Sequence, residues 1–470
     1  MKIKKETWIL LIILLAGLFL RLYQLGSESL WFDEGGTIRT ARMSITQIVE
    51  KSSSKDFHPP FYYFILHYWA ALFGYSEISI RLLSSIFGLL SIAMIYMAGK
   101  LLFDRSAGLI AALILSLSQF HIYFSQEARM YTLITLLSLC SMVSFLLLLR
   151  TQNFFRMAGY MLSNILLLYT HNFGFLIITA QNIFMLTLFL RFRRAGEFTF
   201  IKWIILQIIP VLFFLPWLRI VINQWTRIQK NWWMGPVSLR SIQQTLLDYS
   251  GGPVLYVLFF VLVIIVIFIS FFQTQNKRKI ISNLFKCSTR GERIKDLPGI
   301  YLCMVWVLTP ILLPFIISKF FRPIYITRVT IAASPALYLL AAQGVKSIRN
   351  KIIQIIIGSI IVFILLINLR GYYAEVKKER WREVVKYIES EAQAGDLLIF
   401  NSGSYLRNIF NYYSTRTDIL KRSSPTGDLV DDNNIQKLAQ ITQKQRRVWL
   451  ILCQSGDRWG LMKKRTGGVI

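Results

Sequence analysis

The sequence predicts an all-α polytopic membrane protein of about eleven transmembrane helices, with a small extracytoplasmic α/β domain at the C-terminal end. Three observations predict it. First, 54% of the 470 residues are hydrophobic and only 16% are charged, whereas soluble domains sit near about 45–50% apolar and about 25% charged. Second, apolar runs approach the roughly 20 residues that a helix needs to cross a bilayer, and they recur along most of the chain. Third, basic residues collect in alternate loops, as the positive-inside bias requires. The same composition excludes intrinsic disorder. The net charge of +29 is read as topology-setting basic loops facing anionic lipid rather than as a nucleic-acid surface. Cys140, Cys287, Cys303 and Cys453 are scattered without a CxxC pair, so neither a disulfide framework nor a zinc finger is expected.

The first run, Trp8 to Leu20, follows Lys2, Lys4 and Lys5. A signal peptide begins this way, but Arg21-Leu22-Tyr23 stands where small residues would mark cleavage. It is therefore read as a retained span over 8–25. Further runs lie at about 79–99, 107–122, 131–149, 157–170, 173–190, 201–218, 254–272, 300–318, 325–344 and 352–369. With the N-terminus in the cytoplasm, the inner loops carry Lys100 and Arg105, Arg150 and Arg156, and Arg191, Arg193 and Arg194. The same side carries Lys277 to Lys295, then Lys346, Arg349 and Lys351. The short outer loops hold Arg129 in one case and Lys319 with Arg322 in another. A miscount by one span would scramble this alternation.

Residues 1–370 are thus the membrane domain, with a long first outer loop at 26–78 and another at 219–253. Residues 371–470 form the outer soluble unit. There Trp381 to Glu391 reads as a helix, Asp396 to Asn401 as a buried strand and Val448 to Cys453 as a second strand. The chain stops soon afterwards, which is short for an α/β domain and leaves a truncated unit as one reading. The expected location is the cytoplasmic (plasma) membrane.

Ionisable residues are nearly missing from the runs themselves, which argues against an ion or proton path at mid-depth. Polar clusters stand at outer span ends instead. Leu30-Trp31-Phe32-Asp33-Glu34-Gly35-Gly36 sets two carboxylates after two aromatics. Asp56-Phe57-His58-Pro59-Pro60-Phe61 holds a histidine before two prolines, which push the chain extended. His121 to Tyr131 includes Gln126, Glu127 and Arg129. Tyr169-Thr170-His171-Asn172 and Lys319 to Arg328 complete the set. Singly, each is equally a solvated loop, a capping histidine or a helix-end ion pair. Their placement on one membrane face, by a topology drawn without them, makes them a candidate site for a lipid-anchored, phosphate-bearing substrate.

With those residues in view, the stretch from Arg21 to Arg150 resembles the integral-membrane glycosyltransferases of the C-type fold, among them the protein O-mannosyltransferases and the bacterial lipid A aminoarabinose transferases. The resemblance rests on Trp31-Phe32-Asp33-Glu34, on His58-Pro59-Pro60-Phe61-Tyr62-Tyr63 and on Ser125-Gln126-Glu127-Ala128-Arg129-Met130-Tyr131. Arg322 with Pro335, and Trp381 to Val385 with Gly395-Asp396, extend it over roughly the first 400 residues. It implies a hexosyl- or pentosyltransferase that moves a sugar from a polyprenyl-phosphate carrier to an acceptor hydroxyl on the outer face, with inversion. Other implied partners are membrane lipids and a lipid, glycan or protein acceptor; nucleic acid is not among them.

The family's first-loop Asp makes Asp33 the expected general base, because a neutral hydroxyl is a poor nucleophile. Glu34 is the alternative, or a partner that orients Asp33. Arg129 and Arg322 are expected on the donor phosphate, since guanidinium matches phosphate oxygens. Glu127, Tyr131 and His171 are expected at the substrate. No cofactor is required by the sequence; a divalent metal ion of unspecified identity is expected, if at all, on His58 and Glu127. Trp225, Trp232, Trp233 and Tyr249 in the 219–253 loop are either interface anchors or a flap hinged at Gly251-Gly252-Pro253. The competing readings are a lipid-linked oligosaccharide polymerase or ligase, a transporter or flippase, and a non-catalytic scaffold.

Overall fold

Why the apolar runs become helices follows from their composition: long stretches of Leu, Ile, Phe and Val with no interior polar backbone partner satisfy their own hydrogen bonds as helix. The computed structural model describes residues 5–192, 199–227, 234–275, 296–375, 378–400, 403–423, 436, 439–443 and 445–451. Among them are α1 (Lys5–Leu22), α2 (Phe32–Ala41), α3 (Ile45–Ser54), α4 (Phe61–Phe73), α5 (Glu77–Leu102) and α6 (Arg105–Leu117). Next come α7 (Gln119–Ser125), α8 (Tyr131–Arg150), α9 (Phe154–Thr170), α10 (Phe175–Phe192), α11 (Phe200–Arg227), α12 (Leu239–Ser250) and α13 (Pro253–Gln275). The remaining helices are α14 (Asp296–Phe320), α15 (Ser334–Ser347), α16 (Lys351–Ala374), α17 (Trp381–Glu391) and α18 (Gly403–Tyr413). Three short strands complete the described secondary structure: β1 (Leu397–Phe400), β2 (Leu420–Ser423) and β3 (Val448–Ile451). Trp232, Trp233, Cys287, Cys453 and the basic stretch from Lys277 to Lys295 lie outside the described residues.

The expected eleven spans are not found as eleven. Seven helices among the described residues are long and apolar enough to cross a membrane, or eight if a bent pair counts as one span. The differences have local causes. The run at 107–122 breaks between α6 and α7 with a bend of 60°. Ser118 starts the second piece, its Oγ accepting the His121 amide at 3.4 Å. The Arg21 guanidinium donates to the carbonyls of Leu115 and Ser116, each at 3.3 Å, and so satisfies acceptors that the break strips of helical partners. The run at 325–344 becomes a 3-10 segment, Thr327–Ala333, followed by the 14-residue α15, which has Pro335 in its first turn. The run at 157–170 yields the 17-residue α9. Arg21 is also a buried cation that hydropathy passes over: it is wholly buried, and its Nε donates to Ser125 Oγ at 3.1 Å.

The chain divides into two compact units. One comprises Met1–Leu25 and Met43–Glu375, the other Gly26–Arg42 and Val376–Ile470. The expected boundary at 370 left the start of the first outer loop in the membrane domain. Instead Gly26–Arg42 groups with the C-terminal part, because α2 packs on α18. A Cβ at Gly35 would stand 2.3 Å from Ile409 Cγ1, so only glycine admits that approach. Leu30 N donates to Tyr413 Oη at 2.7 Å on the same side.

Within this second unit β1 is central, paired in parallel with β2 and β3. All four β1 residues are buried, as a strand covered on both faces requires. Leu398 and Phe400 meet Trp381, Val385 and Ile388 of α17 and Leu406, Ile409 and Phe410 of α18 in one core. In the membrane unit, α5 packs against α6 and α8, and α8 against α9. That packing brings the end of α7, the start of α8 and the end of α9 near the start of α4, where His58, Arg129 and His171 gather.

Candidate anion-binding site at the helix ends

The loop before α4 is rigid because its own side chains tie it. Asp56 Oδ1 accepts the amides of Phe57 at 2.7 Å and His58 at 3.3 Å, an Asx-type turn. Its Oδ2 accepts the Tyr63 hydroxyl at 2.8 Å. Asn172 Nδ2 donates to the Phe57 carbonyl at 2.8 Å. Pro59 and Pro60 then lead into α4. His58 is thereby pointed at the turn between α7 and α8, where Arg129 N donates to the Glu127 carbonyl at 2.8 Å.

Three of the expected residues meet here. Arg129 Nη2 stands 3.1 Å from His58 Nε2. The His58 and His171 rings lie 5.1 Å apart between centroids. The Arg129 guanidinium also stands over the Tyr131 ring at 6.0 Å, a weak cation–π contact at that separation. Glu127 and Tyr131 are buried beside them in sequence, at 0% and 1% exposure. Arg328, in the 3-10 segment, adds a second guanidinium whose field reaches both histidines.

The hydrogen bonds assign both histidine tautomers. A guanidinium only donates, so His58 Nε2 accepts and the ring proton lies on Nδ1. Phe173 N donates to His171 Nδ1 at 3.0 Å, so that ring carries its proton on Nε2. These two N–H groups, His58 Nδ1 and His171 Nε2, are buried and have no hydrogen-bond partner among the described residues. Burial holds the His58 imidazole well below its ordinary range, with Arg129 and then Arg328 adding to the effect. Burial likewise lowers His171, followed by His58, Arg129 and Arg328, while Asp56 opposes the shift. Both rings are therefore neutral donors at neutral pH. Two unsatisfied donors on rings next to the Arg129 guanidinium, within the field of Arg328, suit an anion with several acceptor oxygens.

The remaining expected residues have these surroundings. Arg322 Nη1 donates to the carbonyls of Trp225 at 2.9 Å and Thr226 at 3.3 Å, and its guanidinium lies 5.7 Å from the Trp225 ring centroid. It caps the C-terminal end of α11, as cations favourably do. In the second unit, Asp33 is half-buried in the first turn of α2. Glu34 is fully buried and paired with Lys378 Nζ at 3.2 Å; it also accepts the Trp31 amide at 3.4 Å. Its carboxylate thus closes the N-terminus of α2 and neutralises a buried lysine.

Among the described residues no three His, Cys, Asp or Glu side chains group as metal ligands, and His58 Nε2 already faces a guanidinium. Lys378, Arg328 and Gln224 carried no expected role. Arg328 sat in a noted cluster, but nothing in sequence spacing separates it from Arg322. Gln224 is a lone amide on a long apolar helix and carries no motif.

The fold defines the class: a helical protein with seven or eight candidate membrane spans among the described residues and a small parallel sheet. Residues 57–219, about a third of the chain, match the family model described as dolichyl-phosphate-mannose-protein mannosyltransferase. That stretch contains His58, Glu127, Arg129, Tyr131 and His171. No sequence among the curated proteins matches the chain.

Among solved structures, ArnT from Cupriavidus metallidurans in the apo state is similar over 98% of this chain and 95% of that one, at 12% identity and a TM-score of 0.58. The same protein bound to undecaprenyl phosphate gives 13% identity, 95% and 90% coverage and a TM-score of 0.54. The archaeal oligosaccharyltransferase AglB from Archaeoglobus fulgidus, in complex with an inhibitory peptide and a dolichol-phosphate, gives 11% identity and a TM-score of 0.51. The alignment with AglB covers 86% of this chain and 63% of that chain.

Proposed function

We propose that this protein is a glycosyltransferase that moves a sugar from a polyprenyl-phosphate carrier to an acceptor hydroxyl. It acts at the outer face of the cytoplasmic membrane, with its N-terminus in the cytoplasm. One observation carries the reading: two buried imidazole N–H donors without partners among the described residues, next to Arg129 and in the field of Arg328, in the segment that matches the mannosyltransferase family model. Structural neighbours described as bound to undecaprenyl phosphate and dolichol-phosphate support the ligand class. The sugar is a hexose or a pentose, and the acceptor a lipid, glycan or protein.

The reaction is a single in-line displacement. The acceptor oxygen forms a bond to the anomeric carbon as the bond from that carbon to the phosphate oxygen breaks, with inversion. The acceptor proton passes to a carboxylate, and the bonding pair leaves with the polyprenyl phosphate. Asp33 is assigned as that base, on its place in the first-loop motif and its half-exposed position. Glu34 is committed to Lys378 and is assigned a structural role. Charge grows on the leaving phosphate, and preorganised donors that meet growing charge lower the barrier. Arg129, Arg328, His58 Nδ1–H and His171 Nε2–H are assigned to that task. Glu127 and Tyr131 shape the floor beside Arg129. Arg322 is assigned to hold α11.

The test is binding of undecaprenyl phosphate to the protein in lipid nanodiscs. Arg129→Gln is expected to weaken it by about one to two orders of magnitude, the worth of a charge-assisted hydrogen bond. Wild-type affinity in that variant would remove the phosphate reading.

A further inference from the structure

We infer that Gln224 is a positioning residue for the phosphate site, setting the orientation of His58 through the backbone before it; this rests on the reading proposed above. Gln224 lies in the last turn of α11 and is 2% exposed. Its Nε2 donates to two carbonyls at once, Ser52 at 2.9 Å and Asp56 at 2.9 Å. Ser52 belongs to the end of α3, and Asp56 is the residue whose carboxylate receives the Phe57 and His58 amides. One amide therefore bridges both ends of the five-residue link that delivers His58. A shift of the Asp56 carbonyl moves the Asp56–Phe57 peptide plane, and with it the amide bonds that aim the imidazole.

The same turn of α11 holds the link a second time. Arg227 Nη2 donates to Ser53 O at 2.9 Å, its Nη1 donates to Ser54 O, and its guanidinium lies 5.8 Å from the centroid of the Phe57 ring. From the other side Arg322 holds the carbonyls of Trp225 and Thr226. The end of α11 is thus clamped between Arg322 and the His58 loop. Pro210 and Pro216 interrupt the helix below it, so this end depends on its clamps for placement. Preorganised ligands need such support from neighbouring hydrogen bonds.

The experiment measures undecaprenyl phosphate affinity and thermal unfolding for the full chain in nanodiscs. Gln224→Met keeps the volume and removes both hydrogen bonds. It is expected to weaken binding about tenfold. His58→Ala is expected to weaken binding too, and the double variant to bind no worse than His58→Ala alone, because both losses pass through one imidazole. Additive losses would overturn the inference, since Gln224 would then act only on stability. Wild-type binding in Gln224→Met alongside weakened Arg129→Gln would overturn it while leaving the phosphate site standing. Wild-type binding in both Arg129→Gln and His58→Ala would instead remove the site itself. Should Gln224→Met fail to fold, Arg227→Met takes its place with the same two expectations, and wild-type binding or additivity there overturns the inference.

Discussion

At the level of single residues, the decisive feature is the pair of tautomers. His58 and His171 are neutral, and each buries an N–H without a partner among the described residues, His58 through Nδ1 and His171 through Nε2. Replacing His171 by Phe keeps the ring and removes the donor. Undecaprenyl phosphate binding is expected to weaken by about 1–3 kcal/mol, measured by titration in nanodiscs. The neutral state also sets a pH dependence. Both imidazoles titrate lower in the folded chain than in the unfolded one. The unfolded chain therefore binds more protons below about pH 6.5, and stability falls as pH drops through that range. Thermal unfolding of the wild type between pH 7.5 and 5 is expected to show this loss. The His58→Gln/His171→Phe double variant is expected to flatten it.

His58 stands out in the sequence because two prolines fix its setting. Arg129 was legible because a short loop seldom places Gln, Glu and Arg together. The tautomers were not legible, since they depend on Phe173 N and on a guanidinium 71 residues away from His58 in the chain.

At the scale of elements, buried backbone acceptors explain where hydropathy overcounts. A window of mean hydropathy sees 107–122 as one span, yet Ser118 and Arg21 end one helix and begin another. Arg21→Met leaves the Leu115 and Ser116 carbonyls without their donor. It is expected to destabilise the membrane unit by about 2 kcal/mol or more, read from thermal unfolding in detergent, because buried acceptors lose their partners. Gly17 and Gly88 line this arginine: a Cβ at Gly88 would come 2.9 Å from Arg21 Nε and 2.3 Å from Ser125 Oγ.

In the second unit, Gly35 plays the comparable part for α2 against α18. Gly35→Ala is expected to cost about 1–3 kcal/mol through overpacking on Ile409. Faster tryptic cleavage within 378–423, with undecaprenyl phosphate binding unchanged, is the expected readout. The helix at Trp381–Glu391 and the strand near 397–400 were read correctly from periodicity and a short apolar run. The union of α2 with α18 was out of reach, since it joins segments about 370 residues apart and depends on the single hydrogen at Gly35.

For the whole molecule, composition and the alternation of basic loops were enough to establish a multi-span membrane protein, and the motifs were enough to indicate its fold. The number of spans was the weaker part, because helix breaks stabilised by distant side chains leave hydropathy unchanged. The proposed chemistry makes two separate demands: Arg129, Arg328, His58 and His171 are to bind the donor phosphate, and Asp33 is to take a proton. Their contributions are separable by experiment. Arg129→Gln is a binding variant, whereas Asp33→Asn removes a base without removing any donor to phosphate.

The measurement that tests this division most directly uses Asp33→Asn protein in membranes that contain polyprenyl-phosphate-linked sugars, scoring bound and liberated polyprenyl phosphate together. The account predicts near-wild-type binding with release slowed by about 10²–10⁴, the worth of a general base. Release at the wild-type rate would contradict it.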